Sequence, residues 1–393
     1  MTKKTILCLV KHYLPGFKYG GPIRSIANFV ENFGDQYEIK IICLDKDSTE
    51  TKPYKKIKIN KWNKVGKAYV HYTSSKYFNF FGIKNLMKKT KYDLLYLNSF
   101  FTYQTSILPL LLRWATLIPK KPCILAPRGE LSLSALNLKS LKKNFFIFVV
   151  KQLKLHADIF WQASNQDEKK NIINIDKNFA KKVFIASDLI SRSSNKFDTL
   201  KRRKSHLKLV FLSRICPMKN LYFLLKAISK VVNPVELGIF GYKYKDDESY
   251  YKKCIKFIEQ LPNNIKVSMN GYVKHSEVKK VLSKYDLFVL PTRGENFGHI
   301  IIESLSVGTP VLVSNKVFWK PDKEGGLQTL SLIEEYWTKA IVNWSNYKSK
   351  VLFSKRKAAF KYFLKYNNQK GPLEENKKLF YYACNNLKKN IGK

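Results

Sequence analysis

A chain of 393 residues is longer than one hydrophobic core ordinarily serves, and 45% hydrophobic with 14% aromatic residues supplies material for two domains. The 72 Lys and Arg against 29 Asp and Glu leave a formal charge of +43, an excess spread along the whole chain that suits polyanions: nucleic acid, anionic lipid or phosphorylated acceptors. Cysteines 8, 43, 123, 216, 254 and 384 stand singly, never in a C-x-x-C spacing, which excludes a disulfide framework or zinc site and reads as buried thiols of a reducing compartment.

The N-terminus has a basic start but only about five apolar residues before Lys11 and His12, too short for a signal-peptide core. Ile6 to Val10 reads as a first buried strand. No stretch reaches the roughly 18 uncharged residues of a spanning helix, so a soluble or peripheral protein is expected. A turn-rich loop, Tyr13 to Pro22, leads into a helix with Ile23, Ile26, Ala27 and Val30 on one face and Pro22 in its first turn. Gly20 and Gly21 before that helix allow a ligand to approach the backbone, with Arg24 one turn on. Strands at 37–44 and 93–97 flank a helix near 83–89; residues 51–80 show no clear period. Asp45-Lys46-Asp47, the one Asp-x-Asp spacing, reads as a solvated turn.

Gln104 to Ile118 is strongly apolar and predicts a helix, and Cys123 to Pro127 the next buried strand. Arg128-Gly129-Glu130 follows at that strand's C-terminal edge, where open α/β sheets bind ligands. An arginine there stays protonated, so it suits a phosphate or sugar hydroxyl, or else a salt-bridged turn. Residues 139–155 carry lysines on both sides of an apolar centre, which fits a helix in a membrane interface or a buried helix with basic ends. A strand at 158–163, a polar helix at 165–173 and a strand at 182–186 complete this half.

Residues 191–206, rich in Ser, Asn, Arg and Lys, read as a linker. Strands and helices then alternate again: strand 209–212, helix 221–232, strand 235–240, helix 248–261, strand 265–269 and helix 276–285. That alternation predicts a second parallel sheet of the Rossmann type. Arg214 and Lys219, on the loop after the first of these strands, are two cations able to grip one pyrophosphate from two sides. Asp286 to Ser314 is the most informative stretch: a strand, the loop Pro291 to Gly294, a helix at 298–307 and a strand from Pro310. Its helix N-terminus faces whatever sits beyond the strand end, which suits an anion. Glu295 in the loop and Glu303 eight residues on can bracket a ligand and accept the paired hydroxyls of a ribose or hexose. Glu324 to Leu327 reads as a turn, with helices filling the remainder, among them 353–366 and 374–387.

Glu295-Asn-Phe-Gly followed by Glu303-Ser-Leu-Ser-Val-Gly-Thr-Pro-Val resembles the Glu-x7-Glu signature of the retaining, family-4-like (group 1) glycosyltransferases of the GT-B fold. Arg214-x4-Lys219-Asn220 before an apolar helix matches that family as well. The resemblance covers most of the chain, with its strong motifs in the second half. It implies two Rossmann-like domains facing across a cleft, with the terminal helix packing back on the first. The expected boundaries are 1–190 for an acceptor domain, 207–348 for a nucleotide-sugar donor domain and 349–393 for helices crossing back. It implies that Glu295 approaches the donor hexose, that Asn296, Phe297 and Gly298 line the donor with backbone N–H groups, and that Glu303 holds the ribose. By the same resemblance Arg214 and Lys219 neutralise the leaving diphosphate, Gly20 and Gly21 line the donor side, and Gly241 and Tyr272 receive the diphosphate and base. Relatives often carry His-Gly where Arg128-Gly129 stands here. Some that build surface polysaccharides carry Pro-Arg-Gly, so Arg128 is expected in the site.

The function implied is metal-independent, retaining hexosyl transfer from a nucleotide sugar to a glycan or lipid-linked acceptor, in lipopolysaccharide, O-antigen or capsule synthesis. The nucleotide sugar is then a substrate, and no cofactor is expected. A GT-B sugar-nucleotide epimerase is the alternative, disfavoured by the Glu-x7-Glu match. A nucleic-acid-binding protein is suggested by charge alone, without basic runs interleaved with aromatics on one element. A cytoplasmic location follows from the nucleotide-sugar pool, with peripheral attachment to the anionic inner face of the membrane expected through the first domain.

Overall fold

The computed structural model describes residues 3–136, 140–191, 197 and 206–385, and the chain divides into two compact units. The first comprises residues 1–192 and 370–393, the second 193–369. The boundary falls in the stretch read as a linker, nearly all of which lies outside the described residues.

Unit 1 runs β1 (Thr5–Leu9), α1 (Gly21–Phe33), β2 (Glu38–Leu44), β3 (Trp62–Val65), β4 (Ala68–Thr73), α2 (Phe80–Lys89) and β5 (Leu94–Leu97). It continues with a π-helical turn (Tyr103–Ile107) into α3 (Leu108–Trp114), then β6 (Cys123–Leu125), α4 (Leu133–Leu136), α5 (Ser140–Gln152), β7 (Phe160–Ala163), α6 (Gln166–Ile175) and β8 (Val183–Ile185). The eight strands lie in the order β3-β4-β2-β1-β5-β6-β7-β8, parallel except for β3, which pairs antiparallel with β4. That hairpin occupies part of residues 51–80, which show no period because β3 is an edge strand with no fully buried residue. The helix expected over 104–118 stops at Trp114, as Thr116 turns left-handed with φ 56°. Asp45 and Asp47, expected in a solvated turn, are instead 4% and 6% exposed. The Asp47 carboxylate accepts the N–H groups of Phe17 (2.8 Å), Lys18 (3.1 Å) and Ser48 (2.7 Å), and so pins the loop between β1 and α1.

Unit 2 runs β9 (Leu207–Leu212), α7 (Leu221–Ile228), β10 (Val235–Phe240), α8 (Glu248–Ile258), β11 (Ile265–Met269), α9 (His275–Leu282), β12 (Leu287–Leu290), α10 (His299–Ser306), β13 (Val311–Ser314), β14 (Leu327–Leu330), α11 (Glu334–Asn346) and α12 (Ser349–Asn367). All six strands are parallel, in the order β11-β10-β9-β12-β13-β14. This is the 3-2-1-4-5-6 order of a doubly wound sheet, with its reversal between β9 and β12. The apolar runs 209–212 and 287–290 are almost wholly buried because a parallel sheet is covered on both faces.

Past Asn315 the chain makes β14 as well as helices, against the all-helical expectation. Only three of the residues 324–330 are fully buried, so the stretch lacks a strand's apolar run, and register with β13 makes it a strand. The chain re-enters unit 1 at Lys370 rather than 349, so α12 stays with unit 2, where its Ala358 and Ala359 pack on Gly326. α13 (Gly371–Asn385) buries Leu379, Phe380 and Ala383 in unit 1, with Phe380 4.8 Å from Phe29 and 5.1 Å from Tyr96 between ring centroids.

Candidate functional site

In unit 2 the loops leaving β9 and β12 meet at the strand-order reversal. Arg293 N–H and Thr292 Oγ1 both donate to the Met218 carbonyl, at 2.8 and 3.1 Å, which ties the two loops together. Lys219 on one loop forms an ion pair with Glu295 on the other, both side chains under 20% exposed. A lysine and a carboxylate from separate strand ends are thus held at one point, where desolvation strengthens whatever charge each meets.

Gly298 takes φ 76°, a left-handed conformation that costs glycine little, and α10 starts at the next residue. A Cβ on Gly298 would stand 2.9 Å from Cγ of Glu295 and 2.9 Å from Cδ1 of Ile301, so the glycine also leaves room for the Glu295 side chain. Phe297 is buried against His299 and Trp319, at 4.8 and 5.1 Å, and its carbonyl accepts the Trp319 indole N–H. Its part in the site is therefore backbone, with the ring anchoring the turn. Asn296 follows Glu295 on the same turn and is half-buried. Glu303, on α10, is 17% exposed, with a carboxylate oxygen 3.7 Å from Nδ1 of His275 at the start of α9.

Arg214 leaves β9 with its guanidinium 4.9 Å from the Tyr244 ring centroid and Nε 3.9 Å from Asp247. Asp247, just before α8, thus puts a carboxylate beside Arg214. Gly241 stands where two loops crowd: a Cβ there would lie 1.8 Å from the Ser213 carbonyl oxygen, and its N–H donates to the Gly271 carbonyl at 2.6 Å. It is the close approach of the β9 and β10 loops that requires glycine. Tyr272, just past Gly271, is 53% exposed and presents its ring at the surface. Among the described residues no group of three or more His, Cys, Asp or Glu is placed to hold a metal ion.

In unit 1, Gly20 has φ 70°, and a Cβ on Gly20 or Gly21 would meet nothing within 4 Å, so both border open space at the start of α1. Arg128 does not reach outward. It has φ 55°, and its guanidinium pairs with the buried Asp188, donates from Nη2 to Tyr96 Oη (2.6 Å) and Asn98 Oδ1 (2.8 Å), and from Nε to Asn98 Oδ1 (3.2 Å). With so many of its donors engaged, and its charge balanced by Asp188, the guanidinium is held within unit 1, against the expectation of a side chain open to substrate. The turn after it is fixed as firmly: Gly129 N–H donates to Glu168 at 2.6 Å, and Glu130 accepts Phe100 and Phe101 N–H at 2.6 and 3.0 Å. Burial pushes the Glu130 carboxyl above its ordinary range. Asp188, Asn98 and Asp47 carry no motif, and only a buried strand ending just before Asn98 hinted at one of them.

Two doubly wound units with cations and carboxylates gathered at a strand-order reversal define the GT-B class of transferase. Residues 193–325 match the family model "Glycosyl transferases group 1", and residues 25–117 match "Glycosyl transferase 4-like". The chain belongs to the group 1 glycosyltransferases of the GT-B fold. It is 29% identical over 109 residues to an uncharacterized glycosyltransferase of Methanocaldococcus jannaschii, a match spanning 27% of each chain. The chain thus spans about a quarter of that relative's length. An uncharacterized 41.2 kDa protein in the cps region of Klebsiella pneumoniae is 23% identical over 304 residues, 75% of this chain and 78% of that one. Among solved structures, Anabaena Alr3699/HepE in complex with UDP and glucose superposes with a TM-score of 0.68 at 15% identity, over 96% of this chain and 98% of the other.

Proposed function

We propose that the chain is a retaining hexosyltransferase that takes its sugar from a nucleotide-sugar donor, a uridine diphosphate sugar by preference, and delivers it to a glycan or lipid-linked acceptor of surface polysaccharide synthesis. The observation that carries this reading is the meeting of Lys219 with Glu295 at the β9/β12 reversal, with Arg214 and Glu303 on the flanking elements. Arg214 and Lys219 take the diphosphate and stabilise the charge that grows as the sugar departs. Glu295 orients the hexose, the N–H groups of the Asn296-Phe297-Gly298 turn line the phosphates, and Glu303 accepts the ribose hydroxyls. Gly241 and Tyr272 shape the wall for the base. In unit 1, Gly20 and Gly21 leave open space for the acceptor sugar, and Arg128 is a positioning residue.

The preference for uridine is supported by the HepE complex, solved with UDP and glucose, and the polysaccharide setting by the cps-region relative. A thermal-shift panel of nucleotide sugars tests the donor: at about a hundred times Kd, a ligand of the folded state stabilises it by about 2.7 kcal/mol. Product analysis of the anomer then tests retention. Stabilisation by no nucleotide sugar would remove the transferase reading.

The acceptor half is proposed to work at an anionic membrane surface on the cytoplasmic side. α5 supports this: Leu141, Phe145 and Phe148, at the i, i+4, i+7 spacing of one helical face, are 86%, 69% and 58% exposed, while Phe146 and Val150 pack inward. No acidic residue occurs between Glu130 and Asp158, a stretch that also carries Lys142, Lys151 and Lys154.

A further inference from the structure

A buried polar chain crosses unit 1. Asn376 of α13 donates to the Pro372 and Ser187 carbonyls, both at 2.8 Å, and accepts Gln162 Nε2 at 3.2 Å. Gln162 Oε1 accepts the Tyr96 hydroxyl at 2.6 Å, the Tyr96 oxygen accepts Arg128, and Arg128 also meets Asp188 and Asn98. Ser25, in the second turn of α1, donates to the other Asp188 oxygen at 3.1 Å. Buried polar networks are stable only when their members are satisfied, and this one is nearly so. The exception is Asn98, whose Nδ2 is buried and donates to nothing among the described residues.

The orientation of that amide is set by its partner. A guanidinium only donates, so the Asn98 end that meets Arg128 Nε and Nη2 must be the oxygen, which leaves the NH2 on the other end. Its place in the fold is equally defined. Leu97 pairs with Leu9, so Asn98 is level with Val10, where β1 gives way to its loop at the β1/β5 strand-order reversal. Ligands of open α/β sheets lie beyond the strand ends at such a reversal. Through Arg128, Asp188 and Ser25, Asn98 is linked to α1, at whose start Gly20 and Gly21 border open space.

We propose that the Asn98 side-chain amide is a donor subsite for an uncharged hydroxyl oxygen of the acceptor sugar, held in place by Arg128 and Asp188. The inference rests on the transferase reading and adds the acceptor contact to it. An uncharged oxygen is the fitting occupant because Arg128 and Asp188 already neutralise each other, so nothing at Asn98 attracts an anion, and the Asp188 carboxylate opposes one. A hydroxyl satisfies the orphaned N–H directly, and its binding offsets the cost of leaving that donor unpaired.

The full chain, labelled with 15N-asparagine, tests this in the presence of UDP. The Asn98 NH2 signals are assigned by their loss in Asn98→Ser, and methyl glycosides of glucose, galactose, mannose and N-acetylglucosamine are titrated into the wild type. A saturating shift of those signals with at least one glycoside is expected. For that glycoside, Asn98→Ala should weaken binding roughly tenfold, equivalent to about 1.4 kcal/mol, with UDP affinity unchanged. Asn98 signals unmoved by all four glycosides while UDP binds would overturn the proposal alone, as would equal losses of glycoside and UDP affinity in Asn98→Ala, the mark of a structural role. Failure of UDP to bind the wild type would instead overturn the transferase reading, and this inference with it.

Discussion

Lys219 and Glu295 neutralise each other, so a diphosphate competes with the carboxylate for the lysine. The carboxylate also repels the phosphates for as long as it stays near. Glu295→Gln removes both obstacles while leaving the side chain's shape, so it should bind UDP on the order of three- to tenfold more tightly, the scale of a partly exposed ion pair of about 1 kcal/mol. Its turnover should fall, because the same residue is proposed to handle the hexose. Isothermal titration and kinetics separate the two effects, and UDP affinity that is unchanged or weaker would take Lys219 out of the diphosphate subsite. His156 offers a residue-scale test of stability. It stacks 5.1 Å from Phe100, and burial pushes its pKa down to about 3 from the ordinary 6.5. The folded chain keeps the ring neutral where the unfolded chain protonates it. Its contribution is therefore complete above about pH 6.5 and is lost as pH falls toward 3, at up to about 1.4 kcal/mol per pH unit. His156→Phe should flatten that part of the stability–pH curve, read from denaturant midpoints between pH 4 and 7.

At the scale of elements, Gly241 shows how backbone geometry fixes two loops against each other. Adding a methyl at 1.8 Å from the Ser213 carbonyl forces the β9 and β10 loops apart, and Arg214 is the next residue after Ser213. Gly241→Ala should therefore lower the melting temperature and weaken nucleotide-sugar binding together, whereas a neutral result in both would mean the loops separate freely. The elements of unit 2 up to β13 were legible because buried parallel strands and amphipathic helices alternate there with clear periods. β3 and β14 were not, since an edge strand and a sheet-margin strand bury too few side chains to leave an apolar run, and β4, though largely buried, mixes Tyr, His and Thr into its run. The same limit applied to the site. Glu295, Glu303, Arg214 and Lys219 sit in a local pattern. The partners of Arg128 come from residues 96, 98 and 188, brought together only by the sheet, so its inward-facing role could not be read from the turn that carries it. The same holds for Asp47: a carboxylate among turn residues looks solvated in the sequence, while in the fold two backbone N–H groups of the neighbouring loop and that of the adjacent Ser48 close on it.

For the whole molecule the question is what a charge of +43 does. Diffuse lysines add adsorption of about 1 kcal/mol for each Lys or Arg near an anionic surface, but that attraction alone is lost when salt screens it. α5 supplies the second term, since Leu141, Phe145 and Phe148 expose an apolar stripe that a bilayer interface can bury at roughly 25 cal/mol per Å². The two terms respond differently to experiment. Sedimentation with phosphatidylglycerol vesicles should exceed that with phosphatidylcholine at low salt and fall, without vanishing, as salt is raised. The variant Leu141→Ser with Phe145→Ser and Phe148→Ser should keep the low-salt binding, where charge suffices, and lose the salt-resistant fraction. These side chains face solvent, so the variant should melt at the wild-type temperature, which separates a lost contact from a lost fold. Equal sedimentation with both vesicle types at low salt would remove the membrane from the proposal and leave a transferase whose acceptor is met in solution.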